Sequence, residues 1–182
     1  MNIYNNWIET TGQHGIVVWT QEGPKASEGR GPFEARIWNN VIVNAGGLWR
    51  SFMVNNSHGI NVGSQNGCEK PIPYIYNNTI VNSRQSGINW GSNVGAGFVR
   101  DNIVAGTGGN PVIIAPKFVE LINNRVGAVS QIDFADPGRL NFRLKVSSPA
   151  RNQGSNTFPQ NDFNDVTRPK EGSADQGAFE GN

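Results

Sequence analysis

Apolar and polar positions recur along the chain in one fixed pattern: an apolar residue, any residue, two asparagines, any residue and a second apolar residue. Three clear copies read Ile-Tyr-Asn-Asn-Trp-Ile at 3–8, Ile-Trp-Asn-Asn-Val-Ile at 37–42 and Ile-Tyr-Asn-Asn-Thr-Ile at 75–80. Two weaker copies stand at 99–104 and 121–126. Such repetition predicts an architecture in which each unit packs against the next one.

A second element follows the asparagine pair at a constant distance. In three copies a short, strand-like stretch opens ten residues after the second asparagine, at Ile16, Ile88 and Val112. A related stretch opens at Ile60, ten residues later than expected from Asn40, which indicates inserted residues between 44 and 56. Phe134 lies ten residues after Asn124 and predicts the same element in the last copy.

The spacing of the copies predicts the fold. The pairs begin at residues 5, 39, 77, 101 and 123, so successive steps are 34, 38, 24 and 22 residues. Strands this short cannot bury an inner face alone and must stack on neighbours about 4.8 Å away. We predict an all-β fold, a right-handed parallel β-helix (solenoid) of about five coils plus an irregular C-terminal closing segment. The coils would span 1–146, with loop insertions near 21–33, 44–56 and 64–72, and the closing segment 147–182 would pack on the helix.

Stacking would also align equivalent side chains in columns. The second asparagines predict an internal ladder of hydrogen-bonded amides, formed by Asn6, Asn40, Asn78, Asn102 and Asn124. The outward position two residues earlier is occupied by Tyr4, Trp38, Tyr76 and Arg100. A stack of rings that ends in a cation is stabilising by itself, and sugar binding by this column is the alternative.

Composition excludes several classes of protein. The 182 residues carry a formal net charge of +1, which gives no electrostatic reason to expect nucleic acid or an anionic membrane as partner. Cys68 is the single cysteine, so no internal disulfide can form. No apolar stretch approaches the roughly 18 residues of a membrane span. No signal peptide follows Met1 either, which suggests a cytoplasmic chain or a piece of something longer.

Four motifs stand near the end of the chain: Phe-Arg-Leu-Lys-Val-Ser-Ser-Pro-Ala-Arg-Asn-Gln-Gly at 142–154, Asp-Phe-Asn-Asp at 162–165, Arg-Pro at 168–169 and Asp-Gln-Gly-Ala-Phe-Glu at 175–180. Together they resemble the closing coil and terminal segment of bacterial β-helix proteins of the pectate-lyase-like superfamily. The resemblance implies a secreted or cell-surface polysaccharide lyase or glycoside hydrolase, with a polysaccharide or oligosaccharide in a groove along one sheet. Such proteins begin with further coils, so we expect an upstream domain or a partner chain against the N-terminal end, or a fragment.

The insertions indicate where a site would lie. They flank both ends of the strands that open at Ile16 and Ile60, and loops on a rigid scaffold are where sites are usually built. The outward positions between them carry an indole and amides, which suit the faces and hydroxyl groups of sugars. We predict substrate binding by Trp19, Asn61, Gln65 and Asn89. A polar, solvated sheet face is the alternative.

The type of reaction is less constrained by the sequence. Glycoside hydrolysis needs two carboxyl groups, about 5 Å apart for retention or about 6.5 to 9.5 Å apart for inversion, and Glu22 with Glu69 is the least arbitrary pair in the insertions. A lyase instead needs a base for the α-proton and a cation beside the uronate carboxylate. Arg50 and Lys70 are cations of the same loops. These four residues are candidate catalytic residues.

His14 and His58 share one column immediately before a Gly-Ile pair. Two stacked imidazoles could serve acid–base chemistry near neutral pH, and His58 is therefore a further candidate catalytic residue. The alternative is a plain turn into a strand. No aspartate cluster resembles a calcium site, and two histidines are too few for the usual zinc sets. We predict no metal ligand and no cofactor, with calcium left open by the resemblance alone.

Two functions remain open at this point. The first is a carbohydrate-active enzyme that acts on a polysaccharide, as a lyase or a glycoside hydrolase. The second is a non-catalytic glycan-binding or structural surface module, or a fragment that lacks the catalytic coils.

Overall fold

Three parallel sheets form the sides of a right-handed β-helix in the computed structural model, which describes residues 1–20, 32–47, 57–65, 68–108, 113–157 and 159–181. Sheet A contains β1 (Asn2–Tyr4), β4 (Phe33–Trp38), β7 (Pro71–Tyr76), β10 (Phe98–Arg100) and β13 (Glu120–Ile122). Sheet B contains β2 (Trp7–Glu9), β5 (Val41–Val43), β8 (Thr79–Val81), β11 (Ile103–Ala105) and β14 (Arg125–Gly127). Sheet C contains β3 (Ile16–Thr20), β6 (Ile60–Ser64), β9 (Ile88–Trp90) and β12 (Ile113–Ile114). The chain visits the sheets in this order, so the predicted fold class is confirmed.

The first residue of each asparagine pair bends the chain from sheet A to sheet B. Its backbone is left-handed in all five copies, with φ of 53°, 50°, 50°, 53° and 49° at Asn5, Asn39, Asn77, Asp101 and Asn123. Asparagine and aspartate tolerate this conformation better than other side chains. A second left-handed bend follows sheet B at Thr10, Asn44, Asn82 and Gly106. Two bends five residues apart limit each strand of sheet B to three residues.

The second asparagine of each pair forms the predicted internal ladder. Nδ2 of each residue donates to Oδ1 of the next one at 2.9 Å, in four successive bonds from Asn6 to Asn124. The same Nδ2 atoms of Asn6, Asn40, Asn78 and Asn102 also donate to the carbonyl oxygen two residues earlier. The ladder therefore satisfies backbone groups at the bend, and its structural role is confirmed.

The three central strands of sheet B, β5, β8 and β11, are buried on both faces, whereas its outer strands β2 and β14 are partly exposed. Ile42, Ile80 and Val104 point into the main core between the three sheets. The opposite face forms a second core beneath the C-terminal segment, with Val41, Val43, Val81, Ile103 and Ala105 packed against Ile132, Phe134, Phe142, Leu144 and Phe179. Burial on both sides explains why these strands read as continuous apolar triplets rather than alternating ones.

The coil pattern ends at β14. A short helix, α1 (Val129–Ile132), leads into an antiparallel hairpin of β15 (Phe134–Asp136) and β16 (Asn141–Leu144), with a 3-10 turn at Pro137–Arg139 between them. The prediction that Phe134 opens another strand of sheet C is therefore wrong. The reason lies at Ala128, which has φ −70° where earlier coils have the second left-handed bend, so the chain turns back over sheet B. The boundary at 146/147 stays a prediction.

The closing segment is built around a buried ion pair. Nη1 of Arg168 donates to Oε2 of Glu180 at 2.9 Å and to the carbonyl oxygen of Asp175 at 3.0 Å, and Nη2 donates to the carbonyl oxygen of Gly177 at 2.8 Å. The segment is joined to the coils by bonds such as that from the Ala178 amide to Oγ1 of Thr79, at 2.9 Å. The Arg-Pro and Asp-Gln-Gly-Ala-Phe-Glu motifs therefore serve one structural purpose.

Candidate functional site

A groove runs across the outer face of sheet C. It has a volume of about 420 Å³ and is lined by His14, Val17, Trp19, Asn61, Asn89, Gly91 and Ser92. Alternation along β3 turns Val17 and Trp19 outward, and the parallel register aligns Val17 with Asn61 and Asn61 with Asn89. The structure thus brings together three of the four predicted binding residues.

Trp19 lies flat over the neighbouring coil. Its strand partner is Gly63, and a Cβ atom at Gly63 would overlap the indole ring. A Cβ atom at Gly91, in the third coil, would also contact the ring, at 3.8 Å from Cζ3. Gly63 therefore lets the ring rest on the sheet, and 45% of Trp19 stays exposed. An exposed indole held flat is a surface on which an apolar sugar face can stack.

Two amides stand beside the indole. Nδ2 of Asn89 donates to Oδ1 of Asn61 at 2.7 Å, which fixes both side chains in line along the stack. Each amide carries two donor hydrogens and an acceptor oxygen, so part of their capacity remains for a ligand. Nε2 of His14 lies 3.5 Å from Nδ2 of Asn61 and continues the line. The row offers hydrogen bonds at a regular spacing.

The two histidines have different surroundings although their rings stack, with centroids 5.4 Å apart and planes 15° apart. Nδ1 of His14 accepts from the backbone amide of His58 at 3.2 Å, and Nδ1 of His58 accepts from that of Ser86 at 3.3 Å. His14 lines the groove, whereas His58 is 7% exposed and does not line it. A catalytic role for His58 stays a prediction, and the contacts of its ring support a structural role.

Burial lowers the pKa of both imidazoles. Desolvation lowers the pKa of His14, and desolvation together with the charge of His14 lowers the pKa of His58 to about 4. An Nδ1 atom that accepts a backbone hydrogen bond leaves the proton of the neutral ring on Nε2. His14 therefore presents an N–H donor, rather than a base, to the groove.

The depressed pKa of His58 predicts a loss of stability in mild acid. The unfolded chain binds a proton near pH 6.5 that the folded chain takes up only near pH 4, so stability is fully present above 6.5 and falls between these values. We expect the free energy of unfolding to drop by on the order of 2 kcal/mol through this group. Urea titrations at several pH values measure it. His58→Asn keeps an acceptor without a titrating ring and should flatten the decline, and an equal decline in both proteins would exclude His58 as its source.

The remaining predicted site residues lie at the edge of the groove or outside the described residues. Gln65 is exposed just after β6, where its carbonyl oxygen accepts from Nδ2 of Asn93 at 2.7 Å. Glu69 is half-buried, and Lys70 is exposed at the start of β7. Glu22 and Arg50 lie outside the described residues, as do most of the two longest predicted insertions. The catalytic roles of these residues stay predictions.

Sequence reasoning singled out His58 and left His14 out of the candidate site residues. The column itself was visible, since both histidines precede a Gly-Ile pair. What the pattern did not reveal is that His14 lies in the first described coil, where no preceding ring covers it. Gly91 and Ser92 follow β9 directly and also line the groove.

The described residues do not fit a metal ion. Among them, no three His, Cys, Asp or Glu side chains come together in a way that could hold one. Calcium takes six to eight oxygen ligands, carboxylates among them, and the described lining of the groove offers amide and hydroxyl oxygens without a carboxylate. No helix within the described ranges is long and apolar enough to cross a membrane.

The fold defines the class of the protein: it is a parallel β-helix. Among solved structures it is similar to the crystal structure of pectate lyase Pel9A, with a TM-score of 0.57 and 15% sequence identity. The match covers all of this chain and 59% of that one, so this chain spans less than two thirds of the lyase's length. No family model matches the sequence, and no curated protein does. At this identity the likeness shows the fold.

Proposed function

We propose that the protein binds a polysaccharide along the outer face of sheet C. The observation that carries the proposal is the exposed indole of Trp19, held flat over Gly63 beside the Asn61–Asn89 amide row. Stacking on the indole would position a sugar ring, and the amides would bond to its hydroxyl groups. A bare solvated sheet face would need neither a glycine beneath an exposed indole nor an aligned amide row.

The described part of the groove is suited to binding more than to proton transfer. His14 presents an N–H donor, and the described lining has no carboxyl group, whereas glycoside hydrolysis needs two. Any reaction would therefore take its reactive groups from the predicted loop insertions beside the groove. This favours a glycan-binding role for the groove itself.

A lyase reaction is the second candidate, and the position of Glu69 supports it. Its carbonyl oxygen accepts from Oγ1 of Thr20 at 2.7 Å and from Oγ of Ser64 at 3.1 Å, which anchors Glu69 and the adjacent Lys70 at the ends of β3 and β6. In β-elimination the carboxylate of Glu69 would take the proton from the carbon α to the uronate carboxylate, and the electron pair of that C–H bond would form the C=C bond. The C–O bond to the leaving sugar would break, and the leaving oxygen would take a proton from solvent. Lys70 and Arg50 would neutralise the uronate carboxylate.

Secretion or display at the cell surface is part of this proposal, since a polysaccharide substrate is commonly met there. The closing motifs support it by their resemblance to those of secreted β-helix proteins. Strands β1, β2 and β3 have a hydrogen-bonded neighbour on one side in the described sheets. Further coils or a partner chain against their other side stay a prediction.

Replacing Trp19 with alanine should weaken polysaccharide binding by about tenfold or more, because the stacking surface is removed. Affinity gel electrophoresis with a panel of neutral and uronate-containing polysaccharides measures the change. Phe118→Ala is the matched control, since Phe118 is an exposed aromatic residue that does not line the groove. Equal affinities of the two variants would contradict the proposal.

The same panel of polysaccharides tests whether the protein catalyses elimination or hydrolysis. Absorbance of an unsaturated uronate product, lost in Glu69→Gln and Lys70→Ala, would support elimination. New reducing ends without that absorbance would instead show hydrolysis. Binding without either product would leave the glycan-binding role and refute the lyase candidate.

A further inference from the structure

Sheet A carries an aromatic column on its outer face, on a different side of the β-helix from the groove. The predicted stack is confirmed for its three rings: Tyr4 and Trp38 lie 4.4 Å apart with planes at 5°, and Trp38 and Tyr76 lie 5.7 Å apart with planes at 1°. Arg100 follows Tyr76 in the column, as the register of β7 and β10 shows. Its guanidinium carbon lies 4.4 Å from the centre of the Phe98 ring.

A cavity opens where the parallel stacking stops. Phe98 is tilted by 47° to Tyr76 and by 45° to Tyr74, so these rings diverge instead of covering one another. The cavity between them measures about 130 Å³, and Glu34 and Arg36 complete its lining. An adjoining cavity of about 350 Å³ shares Arg36 and Tyr76 with it. The adjoining cavity lies in the size range of ligand sites.

The adjoining cavity has a wall from a distant part of the chain. Residues 159–162 and Asp165 of the closing segment face Tyr4, Trp38 and Tyr76 across it. The wall is fixed in place, because Nδ2 of Asn39 donates to the carbonyl oxygen of Asn161 at 2.7 Å. Asp162 anchors it from behind, where Oδ2 accepts from the Glu180 amide at 2.8 Å. The closing segment and the outer face of sheet A therefore enclose a cleft, whereas a bare sheet face would be open.

The first cavity is electrically balanced. Nη2 of Arg36 donates to Oε2 of Glu34 at 2.7 Å, so the two charges on its rim compensate each other, and both side chains are half exposed. Burial raises the pKa of Tyr76, whose phenol therefore stays protonated and able to donate. Diverging ring faces, a neutral rim and hydroxyl or amide partners match a sugar that carries hydroxyl groups and no charge.

From these observations we infer that the outer face of sheet A is a second ligand site, which takes a neutral oligosaccharide in the cleft between Tyr74, Phe98 and the closing segment. It shares no lining residue with the sheet C groove. It is an accessory binding site, and two separate sites on one rigid body raise the avidity for a long polymer. The inference stands on its own lining and not on the proposed function of sheet C.

Binding measurements on single and double variants distinguish the two proposed sites. Isothermal titration with hexasaccharides of β-1,4-linked glucose, xylose and mannose, and with hexagalacturonate, compares wild type with Trp19→Ala, Tyr74→Ala and the double variant. We expect Trp19→Ala to retain binding of a neutral hexasaccharide, and the added Tyr74→Ala to weaken that binding by about tenfold. Phe118→Ala is the aromatic control, and circular dichroism checks that each variant is folded.

The possible outcomes distinguish the two sites. If Trp19→Ala abolishes all binding, or Tyr74→Ala has no effect in that background, the sheet A site is refuted and the sheet C groove stands. If Tyr74→Ala abolishes binding while Trp19→Ala does not change it, the sheet C groove is refuted and the sheet A site stands. Preferential binding of hexagalacturonate to Trp19→Ala would refute the neutral ligand.

The charge balance gives an independent check. Glu34→Gln leaves Arg36 without its ion-pair partner and makes the rim cationic. In the Trp19→Ala background this change should raise the affinity for hexagalacturonate by about threefold. An unchanged affinity would contradict the role of the Glu34–Arg36 pair in selecting a neutral sugar.

Discussion

Replacing Asn78 with alanine should lower the free energy of unfolding by about 3 to 5 kcal/mol, because several buried polar groups lose their partner at once. Nδ2 of Asn78 donates to the carbonyl oxygens of Ile37 and Tyr76 and to Oδ1 of Asn102, each at 2.9 to 3.1 Å. Its Oδ1 accepts from the backbone and side-chain amides of Asn40. Asn78 is fully buried, so water cannot replace these bonds.

Asn6→Ala is the matched control for this experiment. Asn6 occupies the same column at the end of the described ladder, where it is exposed. Oδ1 of its partner Asn40 also accepts from the backbone amide of residue 6, which alanine keeps. We expect it to cost about 1 kcal/mol. Urea unfolding of the three proteins measures both changes. Similar losses at the two positions would show that the ladder contributes through the bend alone and not through buried hydrogen bonds.

Replacing Arg168 with methionine should cost about 3 to 5 kcal/mol, because it leaves the carboxylate of Glu180 buried without its cation. Both side chains are 2% exposed. Burial already raises the pKa of Glu180, and removal of Arg168 raises it further. A group whose folded pKa is raised stabilises the fold at low pH and loses this contribution as pH rises. The variant should therefore approach wild-type stability in acid.

Two further variants separate the charge from the packing at this pair. Arg168→Met combined with Glu180→Gln should recover part of the loss at neutral pH, because the buried charge is gone while an acceptor remains. Arg139→Met, at an ion pair of 3.8 Å whose arginine is 89% exposed, should change stability by less than about 0.5 kcal/mol. Thermal unfolding across pH values gives all three results. A double variant no more stable than Arg168→Met would assign the loss to the arginine's backbone contacts.

The repeat could be predicted because each coil uses the same local chemistry. The asparagine pair marks both the left-handed bend and the ladder, so a six-residue pattern predicts where sheet A passes into sheet B. The last coil could not be predicted in the same way. Phe134 keeps the ten-residue offset, but Ala128 lacks the second left-handed bend of the earlier coils. Alanine in an extended conformation is common, so the sequence does not mark this change. The path of the chain after Ala128 depends on the core that the hairpin forms with sheet B.

The candidate sites, like the fold, combine features that the sequence predicts with features that depend on distant contacts. Trp19, Asn61 and Asn89 could be predicted because alternation in a strand decides which side chains face outward. The accessory cleft could not, although its aromatic column was visible. Its opening depends on how Phe98 tilts, and its wall comes from residues more than 80 positions further along the chain than Tyr76. Contacts of that range leave no periodic trace in a sequence.

The double burial of sheet B has a consequence for how the protein is made in the cell. A ribosome releases the strands of sheet B before residues 129–181, which supply the second core. Until those residues emerge, Val41, Val43, Val81, Ile103 and Ala105 face water on one side of the nascent coils, and such surfaces invite aggregation. We expect the newly made chain to depend on chaperones until its last fifty or so residues have been translated.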